Sequence, residues 1–290
     1  MIWPPSRFVE VPGGTIHARC WPGRDNRPPL LLVHATGMCG AVYADLLAPL
    51  AEAADRPAIW LPDMRGHGRT RLPATPGEIP VDWAPYRADL QAFLEAVAPG
   101  RPVTLAGHSF GATVAAELAA QWPDRVARLF LLDPAFIPFG DAPRYAAARA
   151  AGANPPNPMA EGAERRRPGF SSRAEARARL QQRGVFAGWP DAALEAYLED
   201  GLADDGRLAC TPAWEATSFR GVSTTLAASL ARLAVPFTLL AASAGSTVTD
   251  PDFAVFAAHP ACRHAARAPG GHFFPVTHPE AVRPRLAMLL

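Results

Sequence analysis

The stretch Pro102-Val-Thr-Leu-Ala-Gly-His-Ser-Phe-Gly-Ala-Thr113 decides the fold that we predict for this chain. Residues 103–106 form a short apolar run typical of a buried strand, and residues 113–121 carry Ala, Val, Leu and Glu at helical spacing. A strand that turns at once into a helix, with Ser109 between two glycines, is the G-x-S-x-G nucleophile elbow. So tight a turn strains the backbone at Ser109 and leaves no room for side chains at the glycine positions. The sequence therefore predicts a nucleophilic hydroxyl held up at the edge of a sheet.

Strand-like and helix-like segments alternate on both sides of this turn. Near the N-terminus, residues 7–11 and 15–21 flank a Pro-Gly-Gly turn and predict a hairpin. Buried strands are predicted at residues 30–33, 58–61, 103–106, 126–132, 235–241 and 263–268, and helices at residues 41–54, 83–97, 113–121, 252–258 and from about 278. This alternation predicts a mostly parallel sheet with helices on both faces.

The alternation breaks between residues 135 and 230. This segment is rich in Pro and Gly, carries isolated aromatic residues, and contains an Arg-rich helical stretch near residues 172–183. We predict a mostly helical cap here, inserted into a core formed by residues 1–134 and 231–290. Such an insertion would lie over the carboxyl edge of the strands, where open α/β sheets bind ligands.

Composition excludes several classes of function. The chain has 290 residues, 49% of them hydrophobic, and a formal net charge of +1, so neither a nucleic-acid partner nor an anionic membrane surface is predicted. All 28 cationic residues are arginine, which excludes a Schiff-base lysine, a P-loop lysine and a Ser-Lys dyad. We expect a small-molecule substrate and a monomer or a homodimer.

The cysteines and the N-terminus favour a cytoplasmic location. Cys20, Cys39, Cys210 and Cys262 are widely scattered without a C-x-x-C pair, so no zinc or redox site is predicted. A disulfide remains possible, but unpaired thiols in a reducing compartment fit the pattern better. The first residues lack the features of a signal peptide, and no apolar stretch is long enough to span a membrane. We expect neither a metal nor an organic cofactor.

A serine hydroxyl needs a base and an oxyanion site to act as a nucleophile. His272 is the candidate base, because it follows the last predicted strand in a glycine-rich loop that can reach the sheet edge. His259, His264 and His278 lie in less suitable positions. The amide of Phe110, at the N-terminus of the predicted helix, is one candidate oxyanion donor, and the amide of Thr36, just after strand 30–33, is the other.

At this point the chain resembles the α/β-hydrolase superfamily. The stretches that carry the resemblance are Val33-His-Ala-Thr-Gly37, Asp63-Met-Arg-Gly-His-Gly-Arg69, Gly107-His-Ser-Phe-Gly111, Leu131-Leu-Asp-Pro134 and Gly270-Gly-His-Phe-Phe274. The resemblance implies an α/β fold with an eight-stranded, mostly parallel sheet, a cap inserted after the sixth strand, and a triad in the order Ser, acid, His.

The acid departs from the pattern that is common in this family. Its usual place, after the seventh strand, falls near Gly245 or Ser246, and neither side chain can carry charge. The superfamily has a second solution at the end of the sixth strand, where this chain has Asp133. A buried carboxylate there needs a partner, which the imidazole of His272 would supply. We therefore predict the triad Ser109, His272 and Asp133, and keep Asp250, which resembles a helix cap, as the reserve acid.

Apolar residues predict the character of the substrate pocket. Phe136, Ile137 and Phe139 follow Asp133 so closely that at least one should face the site, and Met38 and Phe273 lie beside predicted site residues. These five residues predict a largely apolar acyl or alcohol group. The arginines of residues 164–168 and 173–183 form a solvated face in this interpretation, although one of them could bind a substrate carboxylate.

The sequence thus predicts a serine hydrolase that cleaves a carboxylic ester or lactone through an acyl-enzyme. The same triad could instead hydrolyse a carbon–carbon bond beside a ketone, or transfer an acyl group. A hypothesis of another class is a non-catalytic ligand-binding protein on a hydrolase fold, which the missing acid after the seventh strand motivates.

Overall fold

A single eight-stranded sheet organises the molecule. The computed structural model describes residues 3–153 and 155–288. In chain order the strands are β1 (Ser6–Val11), β2 (Gly14–Trp21), β3 (Leu30–Val33), β4 (Ile59–Pro62), β5 (Val103–His108), β6 (Val126–Leu132), β7 (Phe237–Ala242) and β8 (Cys262–Ala268). Their spatial order is β1-β2-β4-β3-β5-β6-β7-β8. The predicted α/β-hydrolase fold class, a mostly parallel sheet flanked by helices, is confirmed.

The sheet is antiparallel only at one edge. The hairpin β1–β2 turns at Gly13 and Gly14, which both have positive φ, and β2 also pairs antiparallel with β4. The strands from β4 to β8 pair parallel to one another. Their carboxyl ends therefore meet at one edge, where loops can bring distant residues together.

Helices cover both faces of the sheet. The core helices are α1 (Ala44–Ala51), α2 (Ala84–Val97), α3 (Phe110–Gln121), α10 (Asp250–Ala258), α11 (Phe274–Thr277) and α12 (Pro279–Ala287). Alternate strand residues point to opposite faces, so Leu31 and Val33 join the apolar cluster under α2 and α3, whereas Leu30 and Leu32 join the one under α1 and α12. Among the described residues, none of the helices combines the length and the apolar character needed to cross a bilayer.

The described residues between β6 and β7 form six α-helices and one short 3-10 helix, Gly184–Phe186, but no strand of the sheet. The α-helices are α4 (Ala142–Ala150), α5 (Pro158–Glu164), α6 (Arg173–Leu180), α7 (Asp191–Asp200), α8 (Pro212–Arg220) and α9 (Leu226–Leu230). The C-terminal end of α7 is tied to the core, because the buried carboxylate of Asp200 accepts from Arg19 at 2.7 Å and pairs with Arg69 at 2.9 Å.

Candidate active site

The turn between β5 and α3 has the strained geometry that its sequence predicts. Ser109 has φ 57° and ψ −122°, a conformation that residues other than glycine rarely adopt. A Cβ atom at Gly107 would lie 2.3 Å from the carbonyl oxygen of Gly111, and one at Gly111 would lie 2.3 Å from that of Val33. Both glycines are therefore required by the close approach of neighbouring backbone.

Three side chains from distant parts of the chain meet at the carboxyl edge of the sheet. Ser109 follows β5, Asp133 follows β6, and His272 lies in the loop between β8 and α11. The His272 Nε2 atom lies 2.9 Å from the Oγ of Ser109, and its Nδ1 atom lies 2.6 Å from the Oδ2 of Asp133. The structure thus brings together the three residues that the sequence singled out as nucleophile, base and acid.

Asp133 is fully buried and surrounded by donors. Its carboxylate accepts from the amide of Ala242 at 3.1 Å, from the hydroxyl of Ser246 and from the amide of Thr247 at 3.3 Å, besides His272. Burial alone would raise the pKa of Asp133, but the hydrogen bond and charge of His272, with the other donors, outweigh it and hold that pKa below its ordinary value. Asp133 is therefore a carboxylate throughout the neutral range.

The reserve acid Asp250 lies elsewhere. Its side chain is 96% exposed at the start of α10 and forms an ion pair with Arg267, so the structure does not bring it to His272. The loop after β7 contributes Ser246 instead, whose hydroxyl binds Asp133. Sequence reasoning placed the family's usual acid near Ser246, but it gave no signal that a serine there would support an acid on the neighbouring strand.

The two candidate oxyanion donors, the amides of Phe110 and Thr36, lie at the start of α3 and in the loop after β3. In the loop after β3, the amide of Ala35 donates to the hydroxyl of Tyr43 at 3.2 Å, and that of Gly37 donates to Nε2 of His67 at 3.0 Å. No acceptor among the described residues takes the amide proton of Thr36 or of Phe110. Neither candidate donor is thus used by another described residue.

Two buried histidines, His34 and His67, hold the loops around the site. The Nδ1 atom of His34 donates to the carbonyl of Ala35 at 2.8 Å, and its Nε2 atom accepts from the amide of Met64 at 2.9 Å. Burial, then the nearby His67, lower the pKa of His34 well below its ordinary value, and burial lowers that of His67 to about 4. These imidazoles are neutral at pH 7, which suits a role in fixing backbone rather than in moving protons.

The five apolar candidates for substrate contact do not share one location. Phe136 and Phe139 stack with ring centroids 4.8 Å apart and pack against Phe256 of α10, and the amide of Ile137 donates to the carbonyl of Ser223. Met38 is buried in the cluster between α1 and α7.

Phe273 lies directly beside the base. Its ring centroid is 5.4 Å from that of His272 and 5.5 Å from that of Trp189. Of the five apolar candidates, it is the one whose ring contacts a member of the catalytic constellation, that is, Ser109, His272 and Asp133.

A groove of about 470 Å³ opens beside His272. One wall is the segment 184–188 between α6 and α7, and the other is formed by Gly271, His272, Phe273, Thr277 and His278. The side chain of His272 is 23% exposed, whereas that of Asp133 is fully buried. Solvent and small molecules therefore reach the constellation from the side of the imidazole.

The arginines of the segment between β6 and β7 are mostly engaged in ion pairs. Arg166 pairs with Glu215, and these two side chains lie against Gly37 in the loop after β3. Arg167 and Arg173 pair with Glu175 and Glu199. Neighbouring carboxylates thus hold the guanidinium groups of Arg166, Arg167 and Arg173.

Comparison with known proteins agrees with this architecture. The model of the alpha/beta hydrolase family matches residues 30–285. Over 112 residues the chain is 38% identical to lipase LipV of Mycobacterium tuberculosis, and over 111 residues it is 30% identical to 2-hydroxymuconate semialdehyde hydrolase of a Pseudomonas species. These matches cover 37% and 38% of both partners, so the chain aligns with little more than a third of either relative.

A solved structure extends the likeness of fold to the whole chain. The crystal structure of E-2-(acetamidomethylene)succinate hydrolase superposes with a TM-score of 0.72 at 22% identity and covers 99% of this chain and 98% of that one. The family model spans most of the chain, and the sheet has the order described above. The chain therefore belongs to the alpha/beta hydrolase family.

Proposed function

We propose that this protein is a serine hydrolase that cleaves a carboxylic ester or lactone through an acyl-enzyme. The observation that carries the proposal is the continuous hydrogen-bonded chain from Ser109 through His272 to Asp133, and the amides of Phe110 and Thr36, which have no acceptor among the described residues, support it. This arrangement supplies a nucleophile, a base, an acid that orients the base, and donors for an oxyanion.

The geometry suits the following steps. His272 takes the proton of Ser109 as the hydroxyl oxygen attacks the carbonyl carbon, and Asp133 stabilises the imidazolium that forms. The amides of Phe110 and Thr36 bind the oxyanion of the tetrahedral intermediate. His272 then protonates the leaving alcohol, and a water molecule activated by the same imidazole releases the acid and restores Ser109.

The surroundings of the site favour a largely apolar substrate. Phe273 lies against His272 and lines the groove beside the base, together with Val185 and Ala187 of the segment between β6 and β7. We propose that residues 135–230 form a cap over the site, because Gly184 to Gly188 face His272 across the groove. The alternatives that use the same triad are hydrolysis of a carbon–carbon bond and acyl transfer.

A second Ser-His-Asp chain in the same molecule provides an internal control. The Oγ atom of Ser6 lies 2.7 Å from Nε2 of His17, whose Nδ1 lies 2.7 Å from Oδ2 of Asp63. Ser6 lies on the edge strand β1, not at the N-terminus of a helix as Ser109 does. Comparing Ser6 with Ser109 therefore separates two contributions to the reactivity of a serine: that of the hydrogen-bonded chain, and that of the elbow with its amides.

The test is hydrolysis of a panel of p-nitrophenyl esters and lactones of graded chain length. We expect turnover by the wild type, loss of at least about 10³-fold in kcat for Ser109→Ala and His272→Ala, and an unchanged rate for Ser6→Ala. A binder without catalytic activity would hydrolyse none of the panel. Equal activity of wild type and Ser109→Ala would overturn the proposal.

A further inference from the structure

A chain of buried hydrogen bonds connects the backbone of the candidate base with the loop that holds Thr36. The amide of Ala35 donates to the hydroxyl of Tyr43 at 3.2 Å, and that hydroxyl lies 2.7 Å from Nδ1 of His108. The Nε2 atom of His108 lies 2.8 Å from the carbonyl oxygen of His272. His108, the residue before Ser109, thus lies in the middle of the connection.

The direction of every bond in this chain follows from its two ends. A backbone carbonyl only accepts, so Nε2 of His108 carries the proton that it donates to His272. Nδ1 is then unprotonated and accepts from the hydroxyl of Tyr43, whose oxygen accepts from the amide of Ala35. Each donor in the chain thus has an acceptor, and the side chains of Tyr43 and His108 are both fully buried.

Burial keeps the connecting imidazole neutral. Loss of solvation, then the nearby His272, lower the pKa of His108 to about 3. The ring centroids of His108 and His272 lie only 4.8 Å apart, so a charge on His108 would oppose the imidazolium that forms on His272 during the reaction. A neutral ring with a fixed tautomer can hold the base without this penalty.

We propose that His108 and Tyr43 are positioning residues. They set the separation between the base, His272, and the loop after β3 that holds the candidate oxyanion donor Thr36. The inference rests on the function proposed above. Ala35 precedes the candidate donor Thr36, and His272 supplies the base, so the chain links two parts that must act on one carbonyl group at once. A misplacement of about 1 Å in such parts can cost 10²-fold in rate.

Substitutions at position 108 separate the two hydrogen bonds. The amide nitrogen of Gln occupies nearly the place of Nε2, so His108→Gln keeps the donor to the carbonyl of His272. His108→Asn places its amide near Nδ1 and keeps only the contact with Tyr43, and His108→Leu removes both. Tyr43→Phe leaves Nδ1 of His108 without a donor and frees the imidazole to change tautomer.

The readouts are kcat and KM on the best ester of the panel, and the rate of labelling by a fluorophosphonate probe. We expect His108→Leu and His108→Asn to lower kcat by about 10- to 100-fold with KM changed by less than about threefold, because the parts of the transition-state site move and the substrate pocket does not. His108→Gln keeps the bond to the base but loses the bond to Tyr43, so it should lower kcat by about 3- to 10-fold, less than His108→Leu does.

A double substitution tests whether the residues act as one chain. His108→Leu with Tyr43→Phe should lose no more rate than the worse of the two single variants, because residues in one network do not contribute independently. If the losses of the two single variants multiply in the double variant, the inference is wrong. It is also wrong if His108→Gln is as slow as His108→Leu. Thermal unfolding verifies that each variant is folded. If His108→Leu does not fold, the comparison of His108→Gln with His108→Asn decides the case.

The two proposals fail in different ways. If the wild type neither hydrolyses esters nor reacts with the probe, the proposed function fails. If the wild type does both and His108→Leu and Tyr43→Phe match its rates, only the positioning role fails.

Discussion

At the scale of single residues, the main result is the position of Asp133. It has φ 44°, so it shares with Ser109 the positive-φ region that residues with side chains rarely adopt. Strained backbone of this kind persists where the surrounding structure over-determines it, and it is concentrated at functional sites. Two strained residues joined through one imidazole are a stronger indication of a working site than either would be alone.

Asp133→Asn should lower kcat by about 10⁴-fold, because an amide at this place favours the wrong tautomer of His272. Asp250→Asn is the matched control, and it should change kcat by less than about twofold, since its carboxylate is exposed and paired with Arg267. Steady-state kinetics on one ester measure both. A severe loss in the Asp250 variant with an active Asp133 variant would reverse the assignment.

The sequence predicted the three residues of the constellation but not their supports. Ser109 and His272 stand in motifs with glycines that require a close approach of backbone, and Asp133 ends an apolar strand. Ser246 and Tyr43 carry no such signal, because their roles depend on neighbours that lie more than 60 positions away along the chain. Hydrogen-bond partners at that distance are set by the fold and not by local pattern.

At the scale of elements, the strands were predictable from local pattern: continuous apolar runs mark β3 and β4, and a Pro-Gly-Gly turn marks the hairpin of β1 and β2. The deviations have local causes. We expected a strand from residue 235, but β7 begins at Phe237, since Pro236 has no amide for the ladder. The helix expected at 41–54 begins with a 3-10 turn, Gly40–Tyr43, and its α-helical part ends at Ala51.

The elbow predicts that Gly111→Ala is severely destabilising. Its new methyl group would lie 2.3 Å from the carbonyl oxygen of Val33, and backbone cannot move aside as a flexible side chain can. We expect a loss of at least about 3 kcal/mol in the free energy of unfolding. Gly162→Ala in α5, where nothing lies within 4 Å of the new atom, should instead gain about 0.5–1 kcal/mol. Denaturant unfolding of both variants measures the difference, and similar effects would contradict the packing argument.

At the scale of the whole molecule, contacts between remote segments fix how the helices after β6 sit on the sheet. Asp200 lies 181 positions after Arg19, yet their side chains form two hydrogen bonds of 2.7 Å. Sequence patterns predicted a helical insertion here but not this contact, since nothing local marks which acidic residue will be buried. The extent of the cap, residues 135–230, therefore stays a prediction.

Buried neutral histidines make the fold sensitive to acid. Burial lowers the pKa of His67 to about 4, while the same group has a pKa of about 6.5 in an unfolded chain. Between these values the unfolded state binds more protons, so stability falls as the pH falls, by about 1 kcal/mol per pH unit for this one group. Buried carboxyls with raised pKa, such as Glu117, act in the opposite direction.

Replacing His67 shows how much of this pH dependence of the free energy of unfolding comes from its imidazole. The free energy of unfolding of His67→Gln should change by about 1 kcal/mol less per pH unit than that of the wild type between pH 6 and 4.5. Urea unfolding at four pH values in this range gives both slopes. Parallel slopes would show that His67 takes up its proton as easily in the folded state as in the unfolded state.

The central claim is that Ser109 is the nucleophile because it lies at the elbow, beside His272 and the unused amide of Phe110. The most direct measurement is mass-spectrometric mapping of the residue that a fluorophosphonate probe modifies. We expect one phosphonyl group on the peptide that contains Ser109, abolished in Ser109→Ala and retained in Ser6→Ala. Modification of Ser6, or no modification of the folded wild-type protein, would contradict the account.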